Sequence, residues 1–131
     1  MDMEARMFKA YAKGDEKIQL KIISGHFITS QSHITHYLDM TTMKTRCAEA
    51  AQIARLLSAK YEATTPVDSI ICLDGLEVVG AFLAEELAKA GVLSMNAHKT
   101  IYIVTPEFHA NGQMLFRDNT QNMVKNRNTV I

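Results

Sequence analysis

Val67–Ala90 reads VDSIICLDGLEVVGAFLAEELAKA and predicts a strand, a tight turn and a helix. The largely apolar residues Ser69–Leu73 indicate a buried strand that stops at Asp74–Gly75, after which apolar residues recur at helical spacing. A turn at the carboxyl end of a buried strand points backbone N–H groups and the positive end of the helix dipole above the sheet. The pattern predicts an anion site at this turn; the alternative is a turn with a purely structural role.

The segments on either side extend this unit into an α/β fold. Thr100–Val104 (TIYIV) is strongly β-branched and predicts a second strand, and Gly91 is placed to end the helix before it. Strand, helix and strand form a crossover unit that builds parallel sheets. A further helix, capped by Thr41 or Thr42, is expected to run to Tyr61. We predict a parallel sheet flanked by helices, in a single domain spanning residues 1–131.

The two ends of the chain give weaker patterns. Residues 3–12 (MEARMFKAYA) predict a short amphipathic helix ended by Gly14, packed on the core or on a partner subunit. Residues 113–117 are expected to return as an antiparallel arm after the polar stretch 105–111, and residues 118–128 are polar and turn-prone. Residues 129–131 begin another buried strand, so we expect a chain truncated after Ile131.

Composition excludes several classes of protein. The chain has 131 residues, 47% of them apolar and 21% charged, as in soluble globular domains. Its 14 basic and 14 acidic side chains balance, so no overall charge favours nucleic acid or a membrane surface. Cys47 and Cys72 lie in apolar-patterned segments and are expected to be buried, reduced thiols. Without a signal-peptide pattern or a run of about 18 apolar residues, we expect a cytoplasmic protein.

Residues 24–39 are rich in histidine, serine and threonine. If the second part is a strand, its side chains alternate between two faces, with His33, Thr35 and Tyr37 on one and Ile34, His36 and Leu38 on the other. The histidine spacing matches no closed structural zinc pattern. We therefore favour a polar surface or a substrate loop over a metal site.

The order of these elements resembles the amino-terminal part of a type I phosphoribosyltransferase, most closely orotate phosphoribosyltransferase. Ser24-Gly25, followed by Ser32 and Tyr37-Leu38-Asp39, is similar to the segment that forms part of the hood over the base. Asp68–Gly80, followed by Ala84, is similar to the strand, pyrophosphate loop and helix start of that family. Ile101–Val104 and the polar stretch after it stand where the family has a flexible catalytic loop.

The resemblance implies transfer of ribose 5-phosphate from phosphoribosyl pyrophosphate to a nucleobase such as orotate, with Mg²⁺, in a cytoplasmic homodimer. It implies small-molecule substrates and neither nucleic acid nor membrane as partner. By resemblance, the substrate-binding residues are Asp74, Gly75, Leu76, Glu77, Ser24, Gly25 and Tyr37. Asp74 is also the candidate to orient Mg²⁺ on the pyrophosphate, although a carboxylate there could equally serve the start of the helix.

The chain departs from the family at two places that matter for catalysis. The flexible loop normally supplies cations, whereas the stretch 105–109 offers only His109 as a catalytic candidate. The acidic pair and Thr-Thr-Gly loop that hold the ribose 5-phosphate would begin at about Thr129, where the sequence ends. We therefore expect little transfer activity from this chain alone. The alternatives are a nucleotide- or pyrophosphate-binding regulatory protein on the same fold, and an α/β dimerisation module.

Overall fold

The computed structural model describes residues 3–30, 32–61, 65–89, 94–109 and 112–131, and the predicted helix cap at Gly91 lies outside them. The strands are β1 Met7–Ala12, β2 Asp15–Ile28, β3 His33–Asp39, β4 Ser69–Ile71, β5 Tyr102–Val104, β6 Glu107–Phe108, β7 Met114–Leu115 and β8 Thr129–Val130. The α-helices are α1 Thr41–Thr45, α2 Cys47–Ser58, α3 Glu77–Lys89 and α4 Asp118–Val124.

A parallel sheet of order β5–β4–β8 confirms the α/β prediction at the level of a mixed fold with helices beside a small parallel sheet. Ser69 in the central strand pairs with Tyr102 on one side and with Thr129 on the other. The strand predicted from the last three residues is thus present as β8. Helix α3 makes the crossover from β4 to β5.

The core lies between this sheet and the helices α2 and α3. Its buried residues come from α2, the central strand region and α3: Ala54, Val67, Ile70, Cys72, Leu83 and Leu87. Gly80 of α3 lies against the Cys72 side chain, because a Cβ at position 80 would meet Cys72 Sγ well inside 3.0 Å. A residue without a side chain therefore allows α3 to pack closely on β4.

Hydrogen bonds of two polar side chains, Asn96 and Asp68, stabilise the amino end of the parallel sheet. Asn96 is fully buried; its Oδ1 accepts from the backbone N–H of Val67 at 2.8 Å and its Nδ2 donates to the carbonyl of Thr65 at 2.8 Å. The Asp68 carboxylate accepts from Lys99 Nζ at 2.6 Å and from the backbone N–H of Asn128 at 2.9 Å. The Lys99 hydrogen bond, followed by that of Asn128, lowers the pKa of Asp68.

The amino-terminal helix predicted over residues 3–12 is wrong. Only the 3-10 helix Glu4–Arg6 forms, and Met7–Ala12 is strand β1, which pairs antiparallel with β2. The spacing of Met7 and Tyr11 fits a helix locally, but β2 offers backbone partners that a short isolated helix cannot match. Gly14, with φ of 93°, lies in the turn between β1 and β2 and does not end a helix.

Three further predictions need correction. The helix expected over residues 41–61 divides at Arg46, whose φ of −98° and ψ of 109° are extended, giving α1 and α2. At the start of α1, the Asp39 carboxylate accepts hydrogen bonds from the N–H and the hydroxyl of Thr41. Neither Thr41 nor Thr42 caps the helix as predicted. The turn-prone stretch 118–128 contains α4, and Cys47 is exposed while only Cys72 is buried.

The antiparallel arm is confirmed as a hairpin, with Glu107 opposite Leu115 and Phe108 opposite Met114. Its strands are short and its side chains are largely exposed. Over the described ranges, none of the helices combines the length and the apolar character needed to cross a membrane.

Candidate functional site

The turn after β4 has the geometry expected of a strand-to-helix anion loop. Asp74 and Gly75 take consecutive positive φ values of 45° and 81°, and the N–H of Leu76 donates to the carbonyl of Leu73 at 3.1 Å. The left-handed conformation favours glycine at position 75. Helix α3 starts immediately afterwards at Glu77, so the turn brings the chain directly from the carboxyl edge of the sheet into the helix.

Several backbone N–H groups are available at this turn. Those of Asp74 and Gly75 donate to no acceptor among the described residues, and both residues are exposed. The first N–H groups of any α-helix also lack partners inside the helix, which applies here to α3 from Glu77 onward. The turn and the helix start together present hydrogen-bond donors and the positive end of a dipole.

Lys44 of α1 supplies a cation at the same place. Its Nζ lies 3.3 Å from Asp74 Oδ2, and its Cδ would lie 3.3 Å from a Cβ at Gly75. The Lys44 side chain is 28% exposed and that of Asp74 94% exposed. Lys44 therefore lies along the turn with its ammonium group beside an almost fully solvated carboxylate.

Sequence reasoning did not find Lys44, because it lies 30 residues before Asp74 in a helix whose position on the turn has no local signal. The segment that resembles the hood explains how Lys44 reaches the turn. Asp39 accepts hydrogen bonds from the Thr41 N–H at 3.0 Å and the Thr41 hydroxyl at 2.6 Å. These bonds start α1 directly after β3 and lower the pKa of Asp39.

The hood candidates Ser24, Gly25 and Tyr37 lie on the paired strands β2 and β3, but Tyr37 is opposite Ile23, so the Ser24 and Tyr37 side chains extend from opposite faces of the sheet. Ser24 pairs with His36, and the register shifts after it, so that Gly25 lies in a bulge. A Cβ at Gly25 would lie 2.6 Å from Arg6 Nη1, so the Arg6 side chain passes over the bulge. The Tyr37 ring is 46% exposed. Helix α1 follows β3 in the chain and contacts, through Lys44, the turn that carries Asp74, Gly75, Leu76 and Glu77.

The catalytic candidate His109 is exposed at the end of the β6–β7 hairpin, where its N–H donates to the carbonyl of Gln113 at 3.0 Å. At the other end of this hairpin the Arg117 side chain forms an ion pair with Glu107. The arginine of this arm is therefore already partnered by a carboxylate.

An apolar groove of about 300 Å³ lies beside the turn and next to β8. Leu57, Leu76, Leu83 and Val130 contribute to its wall. Cys72 also lines it; burial, together with the neighbouring Glu77, raises the pKa of the Cys72 thiol and so disfavours its thiolate form. A charged diphosphate suits the polar turn and not this groove.

Metal ligands are sparse in the parts of the chain that the structure covers, where His, Cys, Asp and Glu nowhere form a group of three or more. The role of Asp74 in orienting Mg²⁺ remains a prediction. No protein-family model, curated protein or solved structure matches this chain. Its function is therefore inferred from the turn and the residues around it.

Proposed function

We propose that this chain is a phosphoribosyltransferase-like protein whose turn Leu73–Leu76 binds the diphosphate of phosphoribosyl pyrophosphate together with Mg²⁺. The observation that carries the proposal is the conjunction at this turn of unpartnered backbone N–H groups, the start of α3 and the Lys44 ammonium group. The β5–β4–β8 order supports it, because ligands of open parallel sheets bind at the carboxyl ends of the strands.

Electrostatics at the turn favour an anion that can compete with Asp74. The Asp74 carboxylate holds Lys44 in a largely solvated ion pair, and such pairs contribute little energy. A diphosphate carries more charge than one carboxylate and can accept hydrogen bonds from the ammonium and the backbone N–H groups at once. We therefore expect the diphosphate to displace Asp74 from Lys44.

In the transfer reaction, a nucleobase such as orotate forms a bond to C1 of the ribose while the bond to pyrophosphate breaks. Positioning of the two reactants supplies much of the rate of such a step. By resemblance, Ser24, Gly25 and Tyr37 hold the base, and Mg²⁺ neutralises the leaving diphosphate. The exposed apolar side chains of the antiparallel sheet, Phe8 and Leu38 among them, offer a surface for the proposed homodimer.

Binding of Mg²⁺–phosphoribosyl pyrophosphate, measured by isothermal titration calorimetry, tests the proposal. Lys44→Met should weaken binding by about 1.5–3 kcal/mol, the value of a charged hydrogen bond, or roughly 10- to 150-fold in Kd. Lys89→Met is the matched control, because Lys89 forms an exposed ion pair with Glu85 in the last turn of α3. Equal affinities of wild type and Lys44→Met would refute a diphosphate site at this turn.

Asp74→Asn separates the two roles of Asp74. If this carboxylate only competes for Lys44, the variant should bind pyrophosphate more tightly with and without Mg²⁺. If it orients the metal ion, the variant should lose the increase in affinity that Mg²⁺ gives and keep the affinity for free pyrophosphate. The affinities of Asp74→Asn and Lys44→Met are compared in the same buffer, because salt screens the electrostatic contributions of both side chains.

A second candidate is a protein that binds the same ligand without transferring ribose phosphate. The ion pair between Arg117 and Glu107 favours it, because the arm that resembles the flexible loop has its arginine engaged by a carboxylate. Because little transfer is expected from this chain alone, orotate consumption is measured in a version extended past Ile131, where binding without consumption would support this candidate. Turnover of orotate that depends on Lys44 would support the enzyme instead.

A further inference from the structure

His26 and His33 face each other across the β2–β3 hairpin, next to the hood candidate Gly25, and neither has a role in the proposed diphosphate site. His26 Nε2 lies 3.1 Å from His33 Nδ1, and the two ring centroids are 5.1 Å apart at an interplanar angle of 74°. Both residues are exposed. One ring nitrogen from each of two neighbouring strands thus lies within hydrogen-bond distance of the other.

The backbone places both residues at the loop end of the β2–β3 hairpin. His26 follows Gly25 in the bulge between Ser24 and Phe27, and His33 is the first residue of β3, opposite Ile28. The loop between the strands is closed by Thr29, whose N–H and hydroxyl both donate to the carbonyl of Ser32 at 2.8 Å. The bulge sets Gly25 and His26 against a single residue of β3, and bulges often re-aim side chains.

We propose that His26 and His33 chelate a divalent late transition-metal ion, with Zn²⁺ as the probe, at an open site on the β2–β3 hairpin. Zinc binds imidazole nitrogen at about 2.0–2.1 Å, so nitrogens 3.1 Å apart subtend an angle of about 100° at the metal. That angle lies between those of octahedral and tetrahedral sites. Imidazole is a preferred ligand of Zn²⁺, Cu²⁺ and Ni²⁺.

The same contact explains the pair without metal. One ring then donates an N–H to the lone pair of the other. When the metal ion binds, both rings stay neutral and carry their protons on the nitrogens that face away, His26 Nδ1 and His33 Nε2, so that both facing nitrogens offer a lone pair. The two residues already lie close together on one hairpin, so chelation brings together no distant segments of the chain, and the ordering cost is confined to rotation of the two side chains. Since the described residues form no group of three metal donors, the remaining coordination positions belong to water or to a second molecule.

His36 does not belong to this pair and provides the control. Its Nδ1 makes a hydrogen bond of 3.0 Å with the Thr35 hydroxyl, and its ring makes an edge contact with Phe8 at a centroid distance of 6.5 Å. His36 is as exposed as the other two and lies on the same hairpin. Its replacement removes one imidazole without touching the proposed chelate.

Zn²⁺ binding is measured by isothermal titration calorimetry in a Cys47→Ser background, because Cys47 is an exposed thiol that could bind zinc on its own. We expect one Zn²⁺ per chain and a loss of at least about tenfold in affinity for His26→Gln and for His33→Gln. His36→Gln should bind as the background does. Circular dichroism checks that each variant keeps its fold.

Side-chain NMR of the histidines gives a second readout in the folded background protein. The ring signals of His26 and His33 should move together as Zn²⁺ is added, while those of His36 stay in place. The proposal is overturned if the two glutamine variants keep the background affinity, if His36→Gln loses as much as they do, or if the His26 and His33 signals do not respond.

Discussion

Replacement of Gly80 by alanine is expected to destabilise the core between α3 and β4. The added Cβ would meet Cys72 Sγ far inside van der Waals distance and would also lie 3.6 Å from Ile103 Cδ1. Cys72 has a short side chain and is only 4% exposed, so its sulphur has little room to move aside. The helix must shift away from the sheet or the cysteine must leave its position.

The magnitude follows from two opposing effects. Overpacking of a well-packed core costs about 1–3 kcal/mol. Alanine is a better helix former than glycine by roughly 0.5–1 kcal/mol, which offsets part of that cost. We expect Gly80→Ala to lower the free energy of unfolding by about 1–2 kcal/mol, because the clash involves a side chain that cannot rotate far.

Urea unfolding of four proteins measures this effect: wild type, Gly80→Ala, Cys72→Ala and the double variant. Removal of the sulphur should cost about 1 kcal/mol by itself, on the scale of one buried methylene group, and should relieve the clash in the double variant. The double variant should therefore be more stable than the sum of the single effects predicts, with a coupling of about 1–2 kcal/mol.

Ala81→Gly provides the control for helix propensity, because Ala81 is exposed on the same helix and its change involves no core contact. If Gly80→Ala is as stable as wild type, or if the two single effects add in the double variant, the close packing of α3 on β4 at Gly80 is refuted.

Three further outcomes are expected from groups described above. Asn96→Ala should destabilise the protein by about 1–3 kcal/mol in urea unfolding, because its backbone partners lose their buried hydrogen bonds; no change would contradict that role. The stabilising effect of Asp68, whose folded pKa is lowered, is present above about pH 4 and is lost as the pH falls through the folded value. Asp68→Asn should therefore lose less stability than wild type as the pH is lowered from 5, measured by thermal unfolding. Melting temperatures that fall in parallel for the two proteins would contradict this role of Asp68. Ellman's reagent should modify Cys47 in the folded protein and reach Cys72 only after denaturant is added, and rapid labelling of both would contradict the burial of Cys72.

The parallel part of the fold could be predicted from sequence because its signals are local and consistent. Apolar, β-branched runs bounded by Asp74-Gly75 and by Pro106 indicate strands, and the apolar spacing after the turn indicates α3. Strand β8 was also indicated by a short apolar run at residues 129–131, although its pairing with β4 was not predicted. In these segments, the secondary structure that the local sequence favours is the one that forms in the fold.

The amino-terminal strand could not be predicted because tertiary pairing overrides the local pattern there. Met7–Ala12 has helical spacing, yet β2 provides a partner over its whole length. Helix α4 was missed for a different reason. Its polar residues give no apolar stripe, and the hydroxyl of Ser69, from the central strand, donates to the carbonyl of Met123 in this helix.

In the candidate site, too, local features could be predicted and contacts between distant residues could not. The turn at Asp74 and Gly75 was predicted because its residues are adjacent and an Asp-Gly pair itself favours a turn. Lys44 was not, because its place beside Asp74 depends on the break at Arg46 and on the start of α1 at Asp39. The His26–His33 contact was likewise not predicted, because it depends on the β2–β3 register, which shifts between Ser24 and Phe27.

The order of strands in the parallel sheet has a consequence for how the chain folds. The central strand β4 leaves the ribosome before either of its neighbours, since β5 and β8 follow it in sequence and both must reach it across long loops. The antiparallel sheet needs only adjacent hairpins and can form early. We therefore expect the nascent chain to form its amino-terminal sheet first and to leave β4 without its neighbours until β5 and β8 have been made. In that interval a chaperone could bind the exposed apolar side chains of β4.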